Sequence, residues 1–305
     1  MSGHCKSGSG SRQGVIFSLS ATALWAVGSL LTKHSLKHFP PLTLLLIELV
    51  ASVVALCVLL AVTWSGQSVR RSVFRLAVPG VLQPGLAYVM SFVGLKWLDS
   101  ISVETLIWSA EGVAMIPFSI MFLGEKVPSR VFLLGLIALF GIGLVTIPFG
   151  LAPAVSLMHV RGSALIIGAV LSACWYTVMA ERDLRDHEPL LLTALHHSAG
   201  LAFALASSLL APAPQEASIF TPRTTAEACL AGICIFVLPF WLYLRSVQLI
   251  GSSSAAQFLP SVPILTIVLA RFLLHETLTV QQIAGSIVTT GAVLGMVCSM
   301  ARPAQ

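Results

Sequence analysis

Two glutamates and a tryptophan lie at helical spacing inside an apolar segment of this sequence. Glu104, Trp108 and Glu111 recur at i, i+4 and i+7, so a helix places all three side chains on one face. Ionisable side chains in an apolar span are costly, and they usually face protein or water rather than lipid. We therefore expect a carboxylate site that binds a cationic group or takes up a proton. The alternative is a pair of glutamates that hydrogen-bond between helices and hold the bundle together.

Glu48 and His196 lie in two further apolar segments, each at the same distance after a proline, Pro41 or Pro189. A carboxylate and an imidazole in a membrane interior favour a proton relay, or contacts to opposite ends of a zwitterion. Each side chain could equally be satisfied by its packing neighbours. The sequence leaves both interpretations open.

Aromatic and amide side chains extend the candidate set. Trp25, Tyr88 and Trp175 lie within apolar segments rather than at the interfaces where Trp and Tyr normally collect. Buried indole and phenol groups need a hydrogen-bond partner, which a ligand can supply. Gln257 belongs to a polar stripe with Ser253 and Ser261. The substrate-binding set predicted from the sequence is Trp25, Glu48, Tyr88, Glu104, Trp108, Glu111, Trp175, His196 and Gln257.

The composition identifies the environment of these residues. The chain of 305 residues is 56% hydrophobic and 10% charged, and its mean hydropathy is +0.93. A soluble domain carries about 25% charged residues, so a water-soluble globule is excluded. Disordered chains are poor in apolar residues, so a disordered chain is excluded as well. We predict an all-α membrane protein with ten transmembrane helices. The apolar segments are residues 14–33, 42–62, 73–95, 101–123, 130–149, 162–180, 189–210, 226–248, 252–273 and 280–300.

Self-similarity at a period of about 150 residues divides the chain into two halves. Trp25 pairs with Trp175, and Glu48 pairs with His196. Each half holds five helices, an odd number, so the second repeat enters the membrane from the opposite side. The expected organisation is two inverted five-helix repeats between short polar tails. The ranges are a tail at 1–13, a first repeat at 14–150, a second, inverted repeat at 160–300 and a tail at 301–305.

Loop charges and missing motifs narrow the function. Lys and Arg are more frequent in the loops on the membrane side that carries the N-terminus than in the loops on the opposite side. This bias favours cytoplasmic termini. The net charge of +5 is therefore interpreted as loop charge rather than as a nucleic-acid site. The chain contains no Walker A, GxGxxG or HExxH sequence and no CxxC or CxxH spacing. We accordingly expect no enzyme activity, no cofactor and no metal site.

Several motifs resemble the drug/metabolite transporter superfamily of the EamA type. They are Trp25 with the small residues that follow it, the segment Ala110-Glu111-Gly112, and the dipeptides Gly124-Glu125 and His275-Glu276. The resemblance covers residues 14–300 and implies ten helices and a central cavity that opens alternately to each side. It also implies export of amino acids and related metabolites, multi-pass insertion with cytoplasmic termini, and a bacterial inner membrane.

The resulting prediction is a secondary active transporter that exports small amino-acid-like or cationic metabolites by gradient-driven alternating access. Its expected partners are a small-molecule substrate, the lipid bilayer and protons as the coupling ion. Both a monomer and a homodimer fit the sequence. One alternative is a broad-specificity multidrug exporter of lipophilic cations. The others, from different classes, are a non-transporting membrane scaffold and a membrane-embedded lipid enzyme.

Overall fold

The computed structural model describes residues 8–63, 73–98, 100–124, 129–146, 157–211, 217–259, 261–275 and 278–300. These residues are almost entirely helical, and none of them forms a β-strand. Eight of their helices are long and apolar enough to cross a membrane, and two shorter apolar stretches lie in α5 and α10. The helices are α1 (Gly8–Ser35), α2 (Pro41–Thr63), α3 (Val73–Leu98), α4 (Ile101–Leu123), α5 (Ser129–Thr146), α6 (Leu157–Asp183), α7 (Pro189–Leu210), α8 (Pro222–Ile250), α9 (Ser252–Leu273) and α10 (Val280–Met300). The predicted all-α membrane fold is confirmed.

Local sequence explains where several helices begin and end. Ser100 caps α4, because its hydroxyl accepts a hydrogen bond from the Val103 amide at 3.3 Å. α8 opens with a reciprocal capping box between Thr221 and Thr224. α4 ends at Gly124, whose φ of 69° is left-handed and favours glycine. Glu125 and Glu276, the glutamates of the two dipeptides named above, lie outside the described residues.

Four of the long helices depart from regular α-helical geometry along their length. The α3 interruption falls at Gln83, whose backbone is extended, with φ −149° and ψ 124°. α8 contains a π-helical turn at Ile233–Val237, in the corresponding place of the second repeat. α4 contains a turn at residues 109–110, and α9 contains one at 257–259. The α9 turn comes a few residues before Pro263.

Glycines allow helices to cross at close range. A Cβ at Gly94 of α3 would meet the Gly162 carbonyl of α6 at 2.9 Å, and a Cβ at Gly141 of α5 would meet the Gly285 carbonyl of α10 at 2.8 Å. Such contacts use small residues because a larger side chain would hold the two backbones apart. A Cβ at Gly291 of α10 would meet nothing within 4 Å, whereas a Cβ at Gly295 would meet the Leu134 side chain of α5 at 3.2 Å. Gly285 and Gly295 therefore mark the close approaches of α10 to α5.

Candidate functional site

A cavity opens between the two repeats, inside the aromatic core of the bundle. It is bounded by α1, α3, α4, α6, α8 and α9, and it encloses ≈ 80 Å³, room for several water molecules or a small ligand. The polar side chains at its wall, apart from those of the aromatic residues, are Ser29, Thr32, Gln83, Ser91, Glu104, Thr105, Ser109 and Glu111. The aromatic ones are Trp25, Tyr88, Phe92, Trp108, Tyr176, Phe240 and Tyr243. Five of the nine predicted substrate-binding residues therefore lie at one cavity: Trp25, Tyr88, Glu104, Trp108 and Glu111.

Ser91 of α3 connects two of the predicted residues of α4. Its hydroxyl donates to Glu104 Oε1 at 2.6 Å, and it accepts a hydrogen bond from Trp108 Nε1 at 3.1 Å. A hydroxyl can do both, because it carries one proton and two lone pairs. The indole and the carboxylate are thereby held at one end of the cavity, one helical turn apart on α4.

Glu111 follows the turn in α4 and is the first residue of the helical segment beyond it. Its side chain is 6% exposed and lines the cavity. The hydroxyls of Thr177 and Tyr243, from α6 and α8, lie near its carboxylate. On the other side, the Cys174 thiol contacts the Glu111 carbonyl at 3.8 Å. The carboxylate therefore has neutral hydroxyl neighbours and faces the cavity.

The aromatic wall is built by rings from both repeats. Trp25 donates from Nε1 to the Ile235 carbonyl at 3.0 Å, an acceptor in the π-helical turn of α8. Its ring meets Phe240 and Tyr243 edge-on, both at 5.5 Å between centroids. Tyr88 lies 5.8 Å from the Trp108 ring. Ring faces of this kind attract organic cations, since their quadrupole is negative over the face.

Glu48 and His196 lie one step behind the cavity wall rather than in it. Thr32, a wall residue, donates to Glu48 Oε1 at 2.8 Å. Tyr176, another wall residue, contacts His196 Nδ1 at 3.2 Å. Both Glu48 and His196 are completely buried. Each is therefore connected to the cavity wall through a hydrogen-bonded neighbour, which the sequence did not distinguish from direct lining.

Trp175 is placed outside the cavity, contrary to the expectation that it faces the centre as Trp25 does. Its side chain is 44% exposed and contacts Phe118 and Phe122, at 6.0 and 4.7 Å between ring centroids. The neighbouring Tyr176 is buried and takes the position at the wall. The reason is geometric, because successive residues of a helix point about 100° apart.

Gln257 is also absent from the described cavity wall, although its side chain is buried. Its Nε2 donates to the Ser253 carbonyl at 3.1 Å, one turn earlier in α9. The amide thus bonds to its own helix, where that helix turns. Residues Leu259 and Val262 supply the contribution of α9 to the wall instead.

The wall residues that the sequence-based selection missed include Ser91, Tyr176, Phe240 and Tyr243. Ser91 is a small polar residue in an apolar helix, one turn after Tyr88, so its helical spacing carried a usable signal. Tyr176 adjoins the selected Trp175. Phe240 carries no polar group, so only the three-dimensional packing reveals it.

Charge at the cavity is one-sided. The described wall contains two carboxylates and no Lys, Arg or His. Lys33, near the end of α1, is within electrostatic reach of Glu104 but does not line the cavity. A bound organic cation would therefore meet compensating charge, whereas an anion would not.

Comparisons with known proteins agree with this architecture. The sequence profile of the EamA-like transporter family matches residues 12–147 and 160–298, one match for each repeat. One solved crystal structure superposes with a TM-score of 0.71 at 18% sequence identity, covering 95% of this chain and 98% of that one. At this identity the likeness concerns the fold alone. No curated protein matches the sequence. The predicted construction from two five-helix repeats is confirmed.

Proposed function

Because the chain belongs to the EamA-like transporter family, we propose that this multi-pass membrane transporter carries small organic cations through the cavity between its repeats. The observation that supports this substrate class is the pairing of Glu104 and Glu111 with an aromatic wall that contributes no basic side chain. Carboxylates neutralise an ammonium group, and the ring faces of Trp25, Tyr88 and Trp108 add cation–π attraction.

The one-sided charge also bears on which metabolites fit. A free amino acid brings a carboxylate as well as an ammonium group, and the described wall offers that carboxylate only neutral donors such as Ser29 and Gln83. A buried anion without a cationic partner is costly. The substrates that fit best are therefore amines and amino-acid derivatives whose carboxylate is absent, esterified or amidated. The volume of ≈ 80 Å³ favours small molecules over bulky lipophilic cations.

Protons are the proposed coupling ion. A glutamate at the cavity wall can hold either a proton or a substrate cation, but it cannot neutralise both at once. Exchange of one proton for one monovalent cation moves substrate out as the proton moves in, with no net charge transferred. Thr32 connects Glu48 to the same wall, so Glu48 is the proposed second proton site, and a cycle that uses it would carry one net positive charge inward.

Alternating access by the two repeats is the proposed cycle. The interruptions of α3 and α8 occupy corresponding places in the repeats, as do the turns of α4 and α9. Broken helices of this kind support rocking of one repeat against the other in transporters with inverted repeats. The loop charges support cytoplasmic termini. The family resemblance supports export across a bacterial inner membrane.

Flux measurements in proteoliposomes test this proposal. Vesicles containing purified protein are loaded with a panel of labelled compounds, and a pH gradient is then imposed. The panel pairs amino acids with their methyl esters, amides and decarboxylated amines, and adds lipophilic cations. We expect flux of the small amines and masked amino acids but little flux of the parent amino acids. Flux of bulky cations instead would favour a multidrug exporter, and no flux of any compound by folded protein would contradict the proposal.

A further inference from the structure

Three metal-ligating side chains come together at the end of α1, away from the cavity wall. They are His34 in the last turn of α1, His38 three residues after the end of α1, and Glu227 of α8. One ligand atom from each lies within 4.8 Å of the other two, and the His34 Nδ1 and Glu227 Oε2 atoms are 3.5 Å apart. All three side chains are half-buried, so an ion could reach them. We infer that this cluster, here called the His34 cluster, is a binding site for a divalent transition-metal ion such as Zn²⁺.

The spacing of the two histidines suits chelation. They are four residues apart, with His34 in the last turn of α1 and His38 in the turn that follows, where the His38 amide donates to the Ser35 carbonyl at 2.9 Å. Their rings meet edge-on, with centroids 5.7 Å apart. Pairs of histidines at i and i+4 on one helical face are a recurring way to hold zinc. Here the tighter turn after α1 brings the second imidazole beside the first.

Local hydrogen bonds fix the third ligand beside this pair. The capping box of Thr221 and Thr224 starts α8, which places Glu227 in its second turn. The Ile219 amide, just ahead of α8, donates to the His38 carbonyl at 2.9 Å. The two chain segments that carry the ligands are thus joined directly by their backbones.

The ligand set favours zinc over magnesium or calcium. Two imidazole nitrogens and one carboxylate form a mixed set of the kind that zinc accepts, with a fourth position left for water. Magnesium and calcium prefer oxygen ligands. Donor atoms in a tetrahedral zinc site are about 3.3–3.5 Å apart, as follows from zinc–ligand distances of about 2.0–2.1 Å. The His34 Nδ1 to Glu227 Oε2 distance of 3.5 Å is already in that range.

The exposed Arg223 competes with a metal for Glu227. Its Nε donates to Glu227 Oε1 at 2.9 Å, while its own side chain is 87% exposed. Exposed ion pairs are weak, so an incoming ion can displace the guanidinium. Removing Arg223 should consequently strengthen metal binding. A structural role for Glu227 in pairing with Arg223 predicts no such gain.

A bound ion would fasten the first repeat to the second, since α1 and α8 belong to different repeats. The cavity wall includes Thr32, two residues before His34, so the clamp would lie at the end of α1 that the cavity reaches. The sequence predicted no metal site because it contains no CxxC or CxxH spacing. That expectation considered ligands close together in the chain, whereas Glu227 is brought in by the fold.

Zinc titration of the full-length protein in detergent, with the affinity tag removed, tests this inference. His4→Ala and Cys5→Ser form the common background, because those two side chains offer ligands of their own. We expect one Zn²⁺ per chain by equilibrium dialysis. We also expect about tenfold or more weaker binding in each of His34→Ala, His38→Ala and Glu227→Gln. His38→Cys keeps a ligand at the position and should restore binding, and His159→Ala is the matched control at a distant histidine.

Two further readouts separate a site from a folding defect. Zinc should raise the thermal midpoint of the background protein and leave that of the Glu227→Gln variant unchanged. Arg223→Ala should bind zinc more tightly than the background. Equal binding by the background and the three ligand variants, or no zinc binding by the background at all, would overturn the inference.

Discussion

The backbone of Gly80 in α3 packs directly against the main chain of His196 in α7, with no room for a Cβ between them. The second repeat contains the same relationship, because Gly232 of α8 packs against the main chain of Glu48 in α2. Gly80 and Gly232 occupy corresponding places in the two repeats, and so do Glu48 and His196. Each glycine packs against the polar residue of the opposite repeat. The main chains of Glu48 and His196 are thus each packed against a glycine backbone. Their side chains are each hydrogen-bonded to a wall residue of the cavity.

Gly80→Ala should destabilise the folded protein, because the added methyl group would collide with the His196 backbone, which cannot move aside as a side chain could. Overpacking of this kind costs about 1–3 kcal/mol. The matched control is Gly143→Ala in α5, where the added Cβ would meet no atom within 4 Å and alanine favours the helix. Thermal midpoints in detergent provide the measurement. A midpoint for Gly80→Ala equal to that of Gly143→Ala would contradict the close crossing.

The fold could be predicted from hydropathy and from the internal repeat, since both depend on residue types that the bilayer demands. The beginning of α1 at Gly8 could not be predicted in this way. Gly8 lies in a polar stretch of the sequence, and hydropathy marks the lipid-buried part of a helix rather than its first residue. The α3 interruption was predictable from Gln83 and Pro84. The π-helical turn of α8 was not, because Ile233–Val237 contains no proline or glycine that would predict it.

Ser91→Ala should weaken transport at low substrate concentration. Loss of the hydroxyl leaves both the Glu104 carboxylate and the Trp108 indole without a shared partner, which lets them leave their positions at the cavity. Buried hydrogen bonds in membrane proteins contribute about 0.6 kcal/mol on average, rising to about 1.7, so we expect roughly a 3- to 20-fold higher half-saturation concentration. Initial flux rates over a substrate series provide the measurement.

Ser91→Thr keeps the hydroxyl and should retain most of the affinity. Ser207→Ala is a control for loss of a serine elsewhere, since that hydroxyl bonds only within α7. If Ser91→Ala and Ser207→Ala gave the same half-saturation concentration, the bridging role of Ser91 would be wrong.

The site could be predicted in part, because an ionisable side chain is energetically unfavourable in an apolar helix and therefore indicates a candidate site. Glu104, Trp108 and Glu111 share a helical face whatever the neighbouring helices do, and all three line the cavity. Trp175 shows the limit of this reasoning. The repeat pairs it with Trp25, but a small difference in rotation between α1 and α6 turns Trp175 outward and brings Tyr176 to the wall. Sequence spacing cannot reveal such a rotation.

Trp25→Ala and Trp175→Ala should therefore differ in effect, although the sequence makes the two tryptophans equivalent. Trp25 offers its ring to the cavity, and loss of a cation–π contact of about 0.5–2 kcal/mol weakens apparent substrate affinity by roughly 2- to 30-fold. Trp175 contacts only the outer rings of α4 and should leave affinity unchanged. Half-saturation concentrations from proteoliposome flux compare the two. Equal losses in both variants would return Trp175 to the binding set.

Glu111→Gln tests the central claim most directly, since it removes one charge from the cavity and changes the shape of the side chain little. The measurement is pH-driven flux of a small amine in proteoliposomes, with Asp186→Asn as the control at an exposed carboxylate in the turn after α6. A charged hydrogen-bond partner contributes about 1.5–3 kcal/mol, so Glu111→Gln should lower flux at sub-saturating substrate by roughly 10- to 150-fold. Asp186→Asn should transport at the wild-type rate. Wild-type flux in a correctly folded Glu111→Gln protein would contradict the account, because the cavity carboxylate would then have no part in binding the cation.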